Sequence, residues 1–394
     1  MSKLLPGVLC LVISAATPLV AAENIDPFNA IPPESIKELS LEDRVDELLY
    51  HMSNAEKAAQ LIMVYFAGEA FVSEHQFGGV LVMQNMLKDQ TKITNELAAL
   101  QSNSKAGVFV AIDQEGGIVN RIKRLPGWNK TPSAKVMREW DTAKITELTN
   151  RIGIQLNEIG INMNLAPVLD PSLDYKGRDT FMEQSRRSFG ATGAEIIPDG
   201  RAFIKGFNQN GVLTINKHFP GYDVSTNSDH EIAVSQAPFG NILDNTSSFS
   251  ALSKEANGVM MSSILFSDTD NKPAVLSEMM VGWARALYGD GIILTDDLWG
   301  VALRSWISPT SNIKDYPDEE FLKLIKMALL AGNDMMMITY PQKAVLMKEA
   351  IAEWMLTDEL VAYRVNESAR RILQSKLKHL PQVTSSANDA GIRE

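Results

Sequence analysis

The chain of 394 residues predicts an α/β protein: a single (β/α)8 TIM-type barrel with an N-terminal helix and a C-terminal helical tail. Three observations lead there. Short apolar runs alternate with amphipathic segments along the chain. The runs are continuously apolar rather than alternating, as in parallel strands covered on both faces. Eight such units over this length fit a closed barrel better than an open doubly wound sheet.

The elements follow in order. Residues 1–22 read as a cleavable signal peptide: Lys3 is a minimal basic start, Leu4 to Val20 is mostly apolar, and Val20-Ala21-Ala22 precedes Glu23 as a small-residue cleavage site. The apolar run is short for a membrane span and is interrupted by Pro6 and Pro18. A Pro-rich linker is expected over 23–40. "SLEDRVDELLYHMSNAEKAAQ", residues 40–60, has apolar residues at helical spacing and a Ser N-cap signal at two starts. Strands are expected at Leu61–Phe66, Gly79–Val82, Gly107–Ile112, Ile161–Val168, Val212–Asn216, Val259–Leu265, Gly291–Leu294 and Asp334–Ile338. Helices are expected over 87–102, 142–159, 193–210, 246–256, 277–287 and 318–331. Residues 341–380 read as outer helices, so the barrel domain spans 41–380, and 381–394 as a frayed tail.

Composition narrows the function. Hydrophobic residues make up 45% and charged residues 22%, as in a globular protein with a full core. The net charge of −11, with no basic block, argues against nucleic acid and anionic membrane surfaces as partners. The single cysteine, Cys10, lies in the leader, so the mature chain has neither disulfide nor thiol nucleophile. With this leader the expected address is the periplasm or the exterior. The run Met335-Met336-Met337 lies inside a strand and reads as core rather than a metal site. A P-loop, H-E-x-x-H and G-x-S-x-G are all absent, and no metal or cofactor is expected.

Catalytic groups of such barrels sit at the C-terminal ends of strands. Four runs here end in Asp113, Asp170, Lys217-His218 and Asp296-Asp297. One terminal carboxylate alone is more often a cap or salt bridge; four together point to one site. Gly116-Gly117 after Asp113 allows a sharp turn and close backbone approach to a ligand. Carboxylates on barrel strands without a metal suit glycoside hydrolysis. That chemistry needs an anionic group beneath the anomeric carbon and a proton donor at the leaving oxygen. An unperturbed imidazole titrates near about 6.5, so His230 on its polar loop suits the donor role.

The chain resembles glycoside hydrolase family 3, in its β-N-acetylglucosaminidase (β-hexosaminidase) branch. "KHFPG", residues 217–221, followed by a loop ending in His230, carries the resemblance most specifically. "IDQEGGIVNRI", "GINMNLAPVLD", "RRSFG", "LTDDLWG" and "VDELLYHMSNAEKAAQLIMV" are similar to family segments in family order, over roughly 41–380. The resemblance implies Asp296 as nucleophile of a covalent glycosyl-enzyme and His230 as general acid, then base. It implies that Asp113, Arg121, Arg187, Lys217 and His218 hydrogen-bond a terminal N-acetylglucosamine. Charged donors there make the stronger bonds. Asp297 competes for the nucleophile role, but neighbouring strand side chains face opposite ways.

Three departures stand out. The family loop ends Asp-Ser-His; here it reads Ser228-Asp229-His230. If the loop is extended, Ser228 takes the place of the histidine's carboxylate partner and Asp229 points away. Tyr222 stands where the family commonly has His, and Gly300 where it has Met. The implied activity is exo-acting, retaining hydrolysis of peptidoglycan- or chitin-derived fragments, by a chain expected to be a monomer. A catalytically weakened sugar-binding barrel, a glycosyl phosphorylase and another β-glycosidase of the family are the alternatives.

Overall fold

The structure, a computed structural model, describes residues 39–309 and 316–380. The expected leader, almost all of the linker and the expected tail lie outside the described residues.

Eight parallel strands form the barrel sheet among the described residues: β1 (Ile62–Tyr65), β2 (Gly79–Val82), β3 (Phe109–Ile112), β4 (Met163–Asn164), β5 (Leu213–Phe219), β6 (Gly258–Met261), β7 (Ile292–Thr295) and β8 (Met336–Ile338). Their order is β8-β1-β2-β3-β4-β5-β6-β7. A parallel bridge between Leu294 and Met335 joins the two edges. Nearly every strand residue is buried, as a sheet with side chains inside and helices outside requires.

Two strands fall well short of the apolar runs that announced them, and β5 runs on past Asn216 to Phe219. The run 161–168 keeps only two residues in regular pairing, because Pro167 has no N–H to give the ladder. Pairing resumes beyond it, with Lys217 N donating to Pro167 O and Leu169 N to Lys217 O at 3.1 and 2.7 Å. The run 259–265 stops at Met261, where the Ser262 hydroxyl accepts the Ile264 N–H at 3.0 Å and turns the chain. Leu265–Phe266 instead pairs in parallel with Val234–Ser235.

Helix boundaries follow their caps. Ser53 and Glu56 form a capping box at the start of Asn54–Gln60, and Thr192 with Glu195 another at Gly193–Asn208. Asp141 caps Thr142–Ile159, which ends at left-handed Gly160. The last helix, Glu359–His379, reaches across the base of the barrel. Its buried Lys376 donates to Gln60 Oε1 at 2.7 Å and Gly107 O at 2.8 Å. Its Arg371 meets Asp334 at 3.2 Å, and Arg370 meets Asp46 of the helix Leu41–His51 at 2.5 Å.

Candidate active site

The loops after β3, β4 and β5 are the long ones, and together with the ends of β7 and β8 they enclose a cleft of about 180 Å³. That is below the roughly 300–1,000 Å³ of pockets for drug-sized ligands, and suits a single ring. Asp113, Arg121, Arg187, Lys217, His218, Ser228, Asp229 and Asp296 all line it.

The β3 loop supplies Asp113, Glu115 and Arg121. Gln114 pins it: its N–H donates to Asn164 Oδ1 at 2.9 Å, and its Oε1 accepts Arg121 N at 2.8 Å and Ile122 N at 3.2 Å. Gly116 is required by contact as well as conformation. Its φ is +100°, and a Cβ there would lie 2.1 Å from Pro132 O. The pinned loop brings Arg121 Nη2 within 3.2 Å of Asp113 Oδ2.

Lys217 and His218 come from the end of β5, where the register against β6 shifts between Asn216 and Phe219. Such an irregularity re-aims side chains, and both residues reach the cleft. Lys217 is 2% exposed and pairs with Asp113 and, at 2.6 Å, with Glu115. His218 is fixed by Asp170, which is fully buried. Asp170 Oδ1 accepts the His218 and Tyr222 N–H groups at 2.9 and 2.8 Å, and its Oδ2 lies 2.6 Å from His218 Nδ1. With Nδ1 donating to the carboxylate, Nε2 is left for a ligand.

Arg187 follows Arg186, whose φ of +63° turns the chain out of the short helix Phe181–Gln184. Glu115 clamps the Arg187 guanidinium with bonds of 2.7 and 2.8 Å. Burial alone would raise the Glu115 carboxyl. Arg187 and then Lys217 more than reverse this and hold it well below the usual carboxylate range.

The two acids after β7 separate cleanly. Asp296 lines the cleft and, among the described residues, accepts only the Asp297 N–H, at 2.8 Å. Burial raises its carboxyl, against the pull of His218 and Lys217. Asp297 turns away: it accepts Trp299 N at 3.0 Å, Thr339 N at 3.1 Å and the Thr339 hydroxyl at 2.6 Å. Among the described residues no group of three or more His, Cys, Asp or Glu side chains is placed to hold a metal ion.

The β5 loop departs from the extended arrangement argued above. Residues 228–230 form a turn, with His230 N and Glu231 N donating to Asn227 O at 3.1 and 3.3 Å. Side chains of a turn do not alternate between two faces, so the parity argument fails. Asp229 lines the cleft together with Ser228, whereas His230 is exposed and is not part of the lining.

Glu115 was not assigned to the site from sequence, and Asp170, read there as one of four strand-end groups converging on one site, was given no role. The signal for Glu115 was its position two residues after Asp113, hence the same side of an extended segment.

A parallel barrel with a buried cation–carboxylate cluster and free-facing acids at the C-terminal rim is an arrangement that suits a glycoside hydrolase. The chain belongs to glycosyl hydrolase family 3: residues 53–375 match the family's N-terminal domain. It is 29% identical over 266 residues to the Beta-hexosaminidase LpqI of Mycobacterium tuberculosis, covering 64% of this chain and 67% of that protein. The solved M. tuberculosis LpqI superposes with a TM-score of 0.72 at 26% identity, over 84% of this chain and 96% of that one. A beta-N-acetylhexosaminidase of Beutenbergia cavernae gives 0.70 at 25% identity, over 82% and 98%.

Proposed function

We propose that the chain is an exo-acting, retaining β-N-acetylglucosaminidase that releases terminal N-acetylglucosamine from peptidoglycan- or chitin-derived fragments. The observation that carries the reading is Asp296. It is the one carboxylate of its strand end aimed into a one-ring cleft, with Arg121, Arg187 and Lys217 on the same walls. In this reading Asp296 attacks the anomeric carbon, the glycosidic bond breaks, and water later hydrolyses the glycosyl-enzyme with net retention. Asp113, Arg121, Arg187, Lys217 and His218 hold the hydroxyls and the N-acetyl group. The names of the mycobacterial and Beutenbergia proteins support the sugar. Residues 1–22 would carry the protein to the periplasm or the exterior, and mature protein beginning at Glu23 on N-terminal sequencing checks that.

The test is turnover of a nitrophenyl N-acetyl-β-glucosaminide, with the first-formed anomer read by NMR. A slow fluorinated N-acetylglucosamine analogue should label the peptide holding Asp296. The α-anomer as first product would remove the retaining mechanism. The outward position of His230 favours one rival reading, a catalytically weakened sugar-binding barrel. That reading predicts calorimetric N-acetylglucosamine binding with no turnover.

A further inference from the structure

We infer that Asp229, not His230, is the proton donor and acceptor of this cleft, and that Tyr222 is the residue that positions it. The inference rests on the hydrolase reading above and assigns the one role that reading leaves unfilled.

The loop is anchored at both ends. Tyr222 N is held by Asp170, and Leu265 N donates to Ala233 O at 3.0 Å where the short parallel pair begins. Between the anchors the chain folds around one phenol. The Tyr222 hydroxyl donates to Thr226 O at 2.6 Å and accepts Ser228 N at 2.8 Å. Asn227 Oδ1 then accepts Asp229 N at 3.0 Å. The resulting turn sends Ser228 and Asp229 into the cleft and His230 to solvent. The two departures at the heart of this loop, Tyr222 and the order Ser-Asp-His, therefore belong to one device.

Three carboxyl groups line the cleft, and Arg121 and Lys217 pair with Asp113, so Asp229 and Asp296 are the two without a cation partner among the described residues; retaining hydrolysis uses such a pair. Position decides which does what. Asp296 is held at the end of β7 by the Asp297 N–H at 2.8 Å, whereas Asp229 is exposed on the loop after β5, on the side from which a leaving group departs to solvent. Among the described residues no ion pair or hydrogen bond reaches the Asp229 carboxyl. Asp296 is thus the attacking carboxylate and Asp229 the acid. In the first step Asp229 gives its proton to the glycosidic oxygen as the C1–O bond breaks and Asp296 bonds to C1. In the second, water attacks C1, its proton passes to Asp229, and the Asp296–C1 bond breaks. Charge and atoms return to the start.

The experiment compares Asp229→Ala, Asp229→Asn, His230→Ala and Tyr222→Phe on two N-acetyl-β-glucosaminides, one with a dinitrophenol leaving group and one with a sugar. Proton donation is worth about 10²–10⁴-fold, so both Asp229 variants should lose that much on the disaccharide. They should form the glycosyl-enzyme from the dinitrophenyl substrate at close to the parent rate, because a good leaving group needs no proton. Azide should then restore turnover of the dinitrophenyl substrate and give the β-glycosyl azide. Tyr222→Phe should show the same leaving-group bias in weaker form, and His230→Ala should show neither the bias nor the rescue. Asp229 is exposed, so its replacement should leave the fold intact by circular dichroism. The assignment is overturned if His230→Ala carries the bias and the rescue. It is also overturned if the Asp229 variants lose both substrates equally without rescue, or lose neither. A parent that turns over neither substrate and takes no label at Asp296 defeats the hydrolase reading itself, and this assignment with it.

Discussion

Glu115 grips Arg187 through two parallel hydrogen bonds, Nε to Oε2 at 2.7 Å and Nη2 to Oε1 at 2.8 Å, while Lys217 Nζ shares Oε1 at 2.6 Å. One buried carboxylate thus holds both cations that the cleft displays, and Asp113 supplies the second negative charge at Lys217. Removing one partner of a buried pair costs about 3–5 kcal/mol, and Glu115→Gln should lower stability in urea by that order. Displaced cations should also lower kcat/KM by roughly 10–100-fold, since small misplacements are expensive. The sign with pH is fixed by the depressed Glu115 carboxyl. Its stabilisation is complete above the unfolded value of about 4.3 and fades as pH falls towards the folded value. Below about pH 4 the parent should lose stability more steeply than the variant.

Asp296→Ala should abolish hydrolysis of an aryl glycoside, because the covalent route is lost. Asp297→Ala should retain measurable activity but lose about 2–4 kcal/mol of stability, since Thr339 and two backbone N–H groups lose their acceptor. Thermal melts and steady-state rates on both variants check the split. The reverse ranking of activities would mean that Asp297 is the attacking group.

Asp170→Asn should act through His218. The amide cannot accept at both positions, so the imidazole loses its fixed tautomer and orientation. KM should rise more than kcat falls, and the imidazole ¹⁵N shifts of His218 should show tautomer exchange absent from the parent. An unchanged tautomer with a raised KM would point to Tyr222 instead.

Asp223 makes the opposite pH prediction to Glu115. It is 2% exposed, and burial pushes its carboxyl up to about 6, with Ser235 and a backbone group offsetting only part of the cost. A raised folded value means that the native state holds the proton longer than the unfolded chain. Stability is then lost as pH rises from about 4 to about 6. Asp223→Asn should be more stable than the parent by on the order of 2 kcal/mol at pH 7, and the gap should close near pH 4. Urea titrations across that range measure it. A constant gap would show that Asp223 does not titrate there.

Much of this was legible in sequence because strands and helices are written in local pattern. The helices Thr142–Ile159 and Asp318–Ala331 fall on the residues their periodicity marks. Pattern fails where a long-range partner decides. Apolarity alone could not say that 161–168 would pair for only two residues, although Pro167 was the clue. Glu115 was given no role from sequence, because its partner Arg187 lies 72 residues away. The Ser-Asp-His order could be read only by assuming an extended loop. The turn depends on the Tyr222 hydroxyl, and no periodicity encodes a phenol folded inside a loop.

The stitch across the base of the barrel bears on how the protein is made. Lys376 reaches back across 316 residues to Gln60, and Arg370 to Asp46. A ribosome delivers the first partners long before the last, so the emerging barrel waits with its opening strand unpaired against β8 and its floor unsealed. Synthesis in vectorial order therefore leaves the β1 edge open until β8 emerges and the floor open until the final helix does, the period in which a nascent chain most needs a chaperone's cover.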